Sequence, residues 1–246
     1  MKGKVVLITG ASSGIGEQMA YEYGRKGAAL VIVARRENKL QKVAERARGL
    51  GSPDVLPICA NVANVNECKR FVDEAINHFG RLDHLVNNAG IVSVCPVEDA
   101  PDITNFKPIL ASKAALISFY EAMRVELAPE ITITIVTLGF IDSEMSQGKQ
   151  LSKEGVVQVD RKLRDVVVGA MPVMSSSTCA KSIVEASCRG ERYVTEPKWF
   201  SVFIMLKSLC PELVELYYRT FHFKPIVSGR NVTNNMVTPL LLNKAD

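Results

Sequence analysis

The sequence predicts an α/β fold built on a doubly wound parallel sheet, and three observations carry that prediction. Apolar, strand-length runs alternate with helix-length segments over the first 95 residues. A glycine-rich turn, Thr9-Gly-Ala-Ser-Ser-Gly-Ile-Gly16, lies between the first strand and the first helix. The chain is also large enough for one well-buried domain: 246 residues, 47% hydrophobic and 23% charged, exclude disordered, collagen-like and disulfide-scaffold classes.

Lys4 to Thr9 is an apolar, β-branched run ending at a glycine, which predicts a strand buried on both faces. Ile15 to Lys26 has helical spacing and closes at Gly27, and Ala28 to Ala34 is a second continuous apolar run. Glu37 to Leu50 reads as a helix, Val55 to Ala60 as a strand and Asn64 to Phe79 as a helix ended by Gly80. Leu82 to Val86 reads as a fourth strand. Such alternation implies βαβ units with right-handed crossovers.

Further along, Ala111 to Leu127 predicts an Ala-rich helix, Ile131 to Leu138 a strand, Thr178 to Cys188 a helix and Arg192 to Thr195 a strand. A long loop, Gly139 to Pro172, lies between them, of the kind that covers a site. The organisation predicted is one domain over residues 1–246, with a helical, aromatic extension from 196 to 246. In Trp199 to Val227 large apolar residues interleave with Lys198, Lys207, Arg219 and Lys224. That stretch fits helix packing over a substrate mouth or in a dimer contact, and it also fits a peripheral membrane contact.

Thirty Lys and Arg against twenty-six Asp and Glu leave a net charge of +4, too small and scattered to predict a nucleic-acid partner. The six cysteines form no C-x-x-C pair and no signal-peptide pattern precedes the first strand, so reduced thiols in a cytosol-facing protein are expected. The three histidines have no zincin spacing, and no metal site is expected. No run approaches eighteen apolar residues.

The glycine turn opens a helix directly after a strand, where a doubly wound sheet sets a pyrophosphate on backbone N–H groups. Gly10 permits the sharp turn, Gly14 the approach of a phosphate and Gly16 the packing of helix on strand. The second strand ends Ala34-Arg35-Arg36, with no acid before Glu37. A carboxylate there would receive a ribose 2′-hydroxyl, whereas a guanidinium grips a 2′-phosphate, so NADP is expected over NAD. The other reading of these arginines is a pair of solvated residues at a strand end.

The glycine turn together with Asn87-Asn-Ala-Gly90 after the fourth strand resembles the short-chain dehydrogenase/reductase family, which has the Rossmann fold. Phe79 to Gly90, Ala111-Ser-Lys-Ala-Ala115 and Arg192-Tyr-Val-Thr-Glu-Pro-Lys-Trp199 narrow the resemblance to plant 11β-hydroxysteroid dehydrogenase-like proteins, the steroleosins. The resemblance covers nearly the whole chain except the last two dozen residues. It implies an NADP-dependent oxidoreductase moving a hydride between nicotinamide and a steroid or similar apolar alcohol or ketone. It places Gly10, Ser12, Ser13, Gly14, Ile15, Gly16, Arg35 and Arg36 on the cofactor phosphates and Asn61 and Val62 beside the adenine. Asn87, Asn88, Ala89 and Gly90 would line the cleft, and Lys113 would hold the nicotinamide ribose. It also implies a lipid-droplet or endoplasmic-reticulum surface and pairing into homodimers or with full-length relatives. The hydrophobic anchor that precedes the first strand in that family is not expected here.

The departures bear on catalysis. The family carries a Tyr four residues before the Lys, one helical turn away, whose phenol is the proton donor or acceptor. Here that position is Ile109. The family's Ser and Asn precede the Tyr on a strand and a helix that find no counterpart, a gap of roughly forty residues by βαβ unit size. The sheet is therefore expected to lack one central strand and its preceding helix. Either the sixth strand slides beside the fourth or a gap remains, with Ile91 to Leu110 crossing as a loop. Tyr120, two turns beyond Lys113, is expected to point away from the nicotinamide and to pack. Asn61 stands where the family has Asp, and Leu138-Gly139 where it has Pro-Gly. Three outcomes stay open: an impaired enzyme, a non-catalytic NADP(H) binder and a shortened chain that folds poorly.

Overall fold

The computed structural model describes residues 1–91, 107–151, 157–159, 168 and 171–220. Strand β1 (Val5–Thr9) is buried at every position and pairs in parallel with β2 (Ala29–Ala34), Val5 opposite Ala29 and Thr9 opposite Val33. On its other side β1 pairs in parallel with β4 (His84–Val86). Strand β3 (Val55–Cys59) lies outside β2, so the order is β3-β2-β1-β4. The chain winds outwards from β1 to β3 and then returns to the far side of β1. That reversal opens a crevice at the carboxyl ends of β1 and β4.

Helices α1 (Gly14–Arg25), α2 (Glu37–Gly49) and α3 (Val65–Phe79) make the crossovers. The Asn64 side chain accepts from the backbone N–H groups of Asn66 and Glu67 at the start of α3, and Gly80, left-handed at φ 72°, ends it. One core layer joins α1 and α2 to β1 and β2 through Val6, Ile8, Met19, Tyr23, Leu40 and Val43. The opposite layer sets Phe71 and Ala75 of α3 on Leu7, Val31 and Val33.

Helix α4 runs Lys107–Glu126 and begins four residues earlier than the sequence suggests, with Pro108 in its first turn, where a missing N–H costs nothing. The expected crossing loop is shorter by the same amount, and its residues 92–106 lie outside those described, Asn105 among them. Strand β5 (Ile135–Leu138) starts later than expected because its partner β10 (Tyr193–Glu196) begins opposite Ile135. Among the described residues β5 pairs only with β10, and β4 only with β1. Of the two outcomes expected for the shortened sheet, the sliding of β5 beside β4 is not seen among the described residues.

The segment read as one loop contains β6 (Ile141–Asp142), β7 (Lys149–Leu151) and β8 (Val157–Val159); residues 152–156, 160–167, 169 and 170 of it are not described. Strand β6 pairs with β9 (Met174–Ser175), and β7 with β8. Helix α5 (Ser176–Arg189) is capped by the Ser175 side chain on the Thr178 N–H and ended by left-handed Gly190. Its Cys179, Ala180, Ile183 and Val184 enter the α1 core layer, where Val136, Ile141 and Met174 also pack. This layer ties the two sheets together without a hydrogen bond between β4 and β5.

The chain divides into two compact units, Met1–Val202 and a second starting at Phe203. The boundary lies beyond residue 196 because Glu196 is buried in β10 and accepts from the Gly139 N–H, while Phe200 lies against Phe140. Helices α6 (Phe200–Leu209) and α7 (Pro211–Tyr218) follow, with Phe203 edge-on to Tyr217 in the second unit. The rest of the aromatic stretch, from 221, lies outside the described residues.

Candidate cofactor site

Thr9, at the end of β1, joins the two signature loops. Its hydroxyl donates to the Val86 carbonyl and accepts from the N–H groups of Asn88 and Ala89, at 3.2, 3.1 and 3.2 Å. The Asn88 amide donates to the Thr9 and Gly10 carbonyls. Gly10 has φ +69°, and a Cβ there would stand 2.8 Å from the Ala89 Cα. A Cβ on Gly16 would come within 2.5 Å of both the Asn88 amide nitrogen and the Gly10 carbonyl oxygen. Gly16 thus makes room for Asn88 as well as for helix packing. Asn88 and Ala89 clamp the glycine loop, and the Ile15 side chain packs on the core.

Beneath these loops, Asp83 fixes the start of β4. Its carboxylate accepts from the Val5 N–H, Lys4 and Arg81. Burial alone would raise its pKa, but these hydrogen bonds outweigh it and hold the group well below the usual carboxylate range. Next to it His84, edge-on to Tyr23, is pushed down, chiefly by burial.

Arg35 and Arg36 diverge. The Arg36 guanidinium donates to Ser12 Oγ at 3.0 and 3.2 Å and to Ser13 Oγ at 2.6 Å, over the N-terminus of α1. The Ser13 side chain makes no capping bond to α1. Arg35 instead lines an open pocket of about 380 Å³ with Cys59, Ala60, Asn61, Glu67 and Arg70. The Asn61 N–H donates to Glu67, and exposed Val62 follows it. Alternation along an extended segment explains the divergence, since successive side chains point to opposite sides.

Two residues of this cluster are not legible in the sequence. Glu144, just after β6, accepts from Arg36 Nη1 at 2.8 and 2.9 Å, from Lys39 Nζ at 2.7 Å and from Ser13 Oγ at 3.3 Å. Ser143 stands over Gly14, where an added Cβ would lie 3.4 Å from its own. Lys39, in the first turn of α2, follows Arg35 and Arg36 closely enough in the sequence to be read as a third cation of the cluster.

At the other end of the crevice Lys113 reaches the second loop: its Nζ would stand 3.2 Å from a Cβ on Gly90. Ile109 lies on α4 one turn before Lys113, and its side chain is outside the described residues. Tyr120 does more than pack: its hydroxyl accepts a hydrogen bond from the Asn87 side chain. Two turns of α4 therefore present Lys113 and Tyr120 to the Asn87–Gly90 loop. They stand about 10 Å apart along the helix axis, too far for one ammonium to act on the other's phenol.

The sequence model of the short chain dehydrogenase family matches residues 4–109. The 11-beta-hydroxysteroid dehydrogenase 1A of Arabidopsis thaliana is 49% identical over 257 residues, covering 87% of this chain and 74% of its own. The 11-beta-hydroxysteroid dehydrogenase A of Arachis hypogaea is 46% identical over 264 residues, covering 89% and 76%. Since 87% of 246 residues is about 214, about 43 of the 257 positions have no counterpart here. A short-chain type dehydrogenase/reductase from Mycobacterium marinum superposes with a TM-score of 0.65 at 23% identity, covering 79% of this chain and 94% of its own, and shows the shared fold. Among the described residues no helix is long and apolar enough to cross a membrane. With the crevice at the sheet's switch point, the interlocked glycine and Asn87–Gly90 loops and these relatives, the chain belongs to the short-chain dehydrogenase/reductase family of nicotinamide-dependent oxidoreductases, beside its plant 11-beta-hydroxysteroid dehydrogenase-like members.

Proposed function

We propose that this protein binds NADP(H) as a hydroxysteroid dehydrogenase-type oxidoreductase whose proton-transfer chemistry is crippled. The observation that carries the reading is the contrast between the two ends of the crevice. The phosphate end is complete, with Gly10, Gly14 and the α1 N-terminus beneath Ser12, Ser13 and Arg36. At the nicotinamide end Lys113 lies beside Gly90 but has Ile109 where a phenol is needed.

In this reading the cofactor supplies the hydride, Arg36 and Lys39 take the 2′-phosphate, and the backbone N–H groups at the start of α1 take the pyrophosphate. Arg35 and Asn61 face the adenine from the adjoining pocket. Lys113 orients the nicotinamide ribose, and substrate is a small apolar alcohol or ketone of steroid type. Loss of a general acid costs about 10²–10⁴-fold in rate, so slow turnover remains. The second reading, an NADP(H)-binding partner of full-length relatives, is favoured by the outer edge of β4. No strand pairs with it among the described residues, and Leu85 on it is 53% exposed.

The test compares this chain with its 49%-identical relative, following NADPH binding and oxidation of a panel of hydroxysteroids. Comparable binding with kcat lower by at least about 10²-fold is expected. Turnover equal to the relative's overturns the impairment, and binding without any turnover selects the second reading.

A further inference from the structure

We propose that the Glu144 carboxylate stands in for the cofactor's 2′-phosphate, so that Glu144 sets the NADP-to-NAD preference of the site. The inference rests on reading Arg36 as a 2′-phosphate ligand.

Every group that would hold such a phosphate already holds this carboxylate. Arg36 Nη1 meets both of its oxygens, Lys39 Nζ meets one at 2.7 Å and the Ser13 hydroxyl the other at 3.3 Å. Arg36 also binds Ser12 and Ser13, so one guanidinium is aimed at once by two hydroxyls and an anion. The carboxylate comes from 108 residues away in the chain. It is presented by a tight turn in which Ser146 exchanges hydrogen bonds with Ser143 and the Gln147 N–H donates to the Ser143 carbonyl. The same turn lays Ser143 over Gly14, in the path of a pyrophosphate.

A 2′-phosphate carries roughly twice the charge of a carboxylate and one more oxygen, so it displaces Glu144 from the two cations. The displaced carboxylate, already one-third exposed, moves into water at little cost. A cofactor without that phosphate has no claim on the cations. Its ribose 2′-hydroxyl can instead donate to Glu144, as it does to the acid of NAD sites. Glu144 therefore opposes NADP and favours NAD, narrowing the difference that Arg36 creates. Binding of the 2′-phosphate also releases the turn that covers Gly14.

Calorimetric titration of the full chain, E144Q and R36Q with NADPH, NADH, 2′-AMP and 5′-AMP tests this. E144Q is expected to bind NADPH and 2′-AMP about tenfold more tightly, equivalent to one charge-assisted hydrogen bond, with NADH and 5′-AMP unimproved. R36Q is expected to lose at least as much affinity for both 2′-phosphates. If R36Q weakens NADPH but E144Q does not tighten it, the inference fails and the NADP reading stands. If R36Q changes nothing, the NADP reading fails and the inference with it. Hydrogen exchange on the unmodified chain gives a second readout that does not depend on a variant folding. Saturating 2′-AMP is expected to speed exchange of the Ser143–Gln147 amides, and unchanged exchange overturns the displacement.

Discussion

Strand β2 and helix α4 are both rich in aliphatic side chains and treat them differently. Leu30, Val31, Ile32 and Val33 of β2 have no solvent contact, whereas Leu116, Ile117 and Val125 of α4 are exposed and Phe119 is 56% exposed. The strand is covered on both faces, by α1 and α2 on one and α3 on the other. The helix reaches the rest of the fold mainly through polar contacts, Tyr120 with Asn87, Glu121 with Tyr193 and Arg124 with the Arg192 carbonyl. Apolar sequence becomes stability only where a layer exists to cover it. The phosphate cradle stands on strands covered on both faces and shares its α1 core layer with Val136, Ile141 and the α5 side chains, whereas much of α4 is left uncovered.

The sharpest way to break this comparison is paired truncation. Ile32→Ala is expected to lower unfolding free energy by about 3–4 kcal/mol in urea titrations, and Ile117→Ala by less than about 0.5 kcal/mol. Equal losses would mean that α4 buries its apolar face after all. Gly16→Ala forces a Cβ onto the Asn88 amide and the Gly10 carbonyl, neither of which can yield without unlocking the loops. A loss of about 3 kcal/mol is expected, with NADPH-dependent stabilisation abolished.

Asp83→Asn is a smaller perturbation, about 2 kcal/mol for weakened charge-assisted hydrogen bonds at the β1–β4 junction. Its pH signature is distinctive. The folded pKa lies below the unfolded value of 3.8, so the stability Asp83 confers is present above that value and lost as pH falls through and below it. His84, also held below its ordinary 6.5, acts in the same direction at milder acidity, since the unfolded chain takes up the proton first. Melting temperatures across this range should fall twice on acidification, and D83N should remove the second fall alone. Smallest in free energy is the contrast in native-state hydrogen exchange: β1 and β2 amides should exchange only through global unfolding, and those of α4 through local opening.

The strongly local features were legible in the sequence. The five-residue buried run of β1, the turn at Gly10 and the Asn64 and Gly80 ends of α3 each follow from a few adjacent side chains. Lys113 is singled out by the family resemblance of Ala111-Ser-Lys-Ala-Ala115, and the structure sets its Nζ beside Gly90. What was not legible depends on distant residues. Nothing near Glu144 announces that its carboxylate meets Arg36, and nothing around Tyr120 indicates that its hydroxyl receives the Asn87 amide. The division of labour between Arg35 and Arg36 depends on the direction in which β2 ends, which composition does not encode. That β5 does not pair with β4 among the described residues is a fact of pairing, which the shortened sequence allowed to go either way.

Thermal unfolding with added nicotinamide cofactor tests most directly the proposal that the glycine-loop side of the crevice binds NADP(H) although Ile109 stands where a phenol is needed. At a hundred times its dissociation constant, NADPH should stabilise the fold by about 2.7 kcal/mol, raising a single cooperative transition by about 5–10 °C. A broad, non-cooperative melt, or a sharp one that saturating NADPH leaves unmoved, would contradict the account.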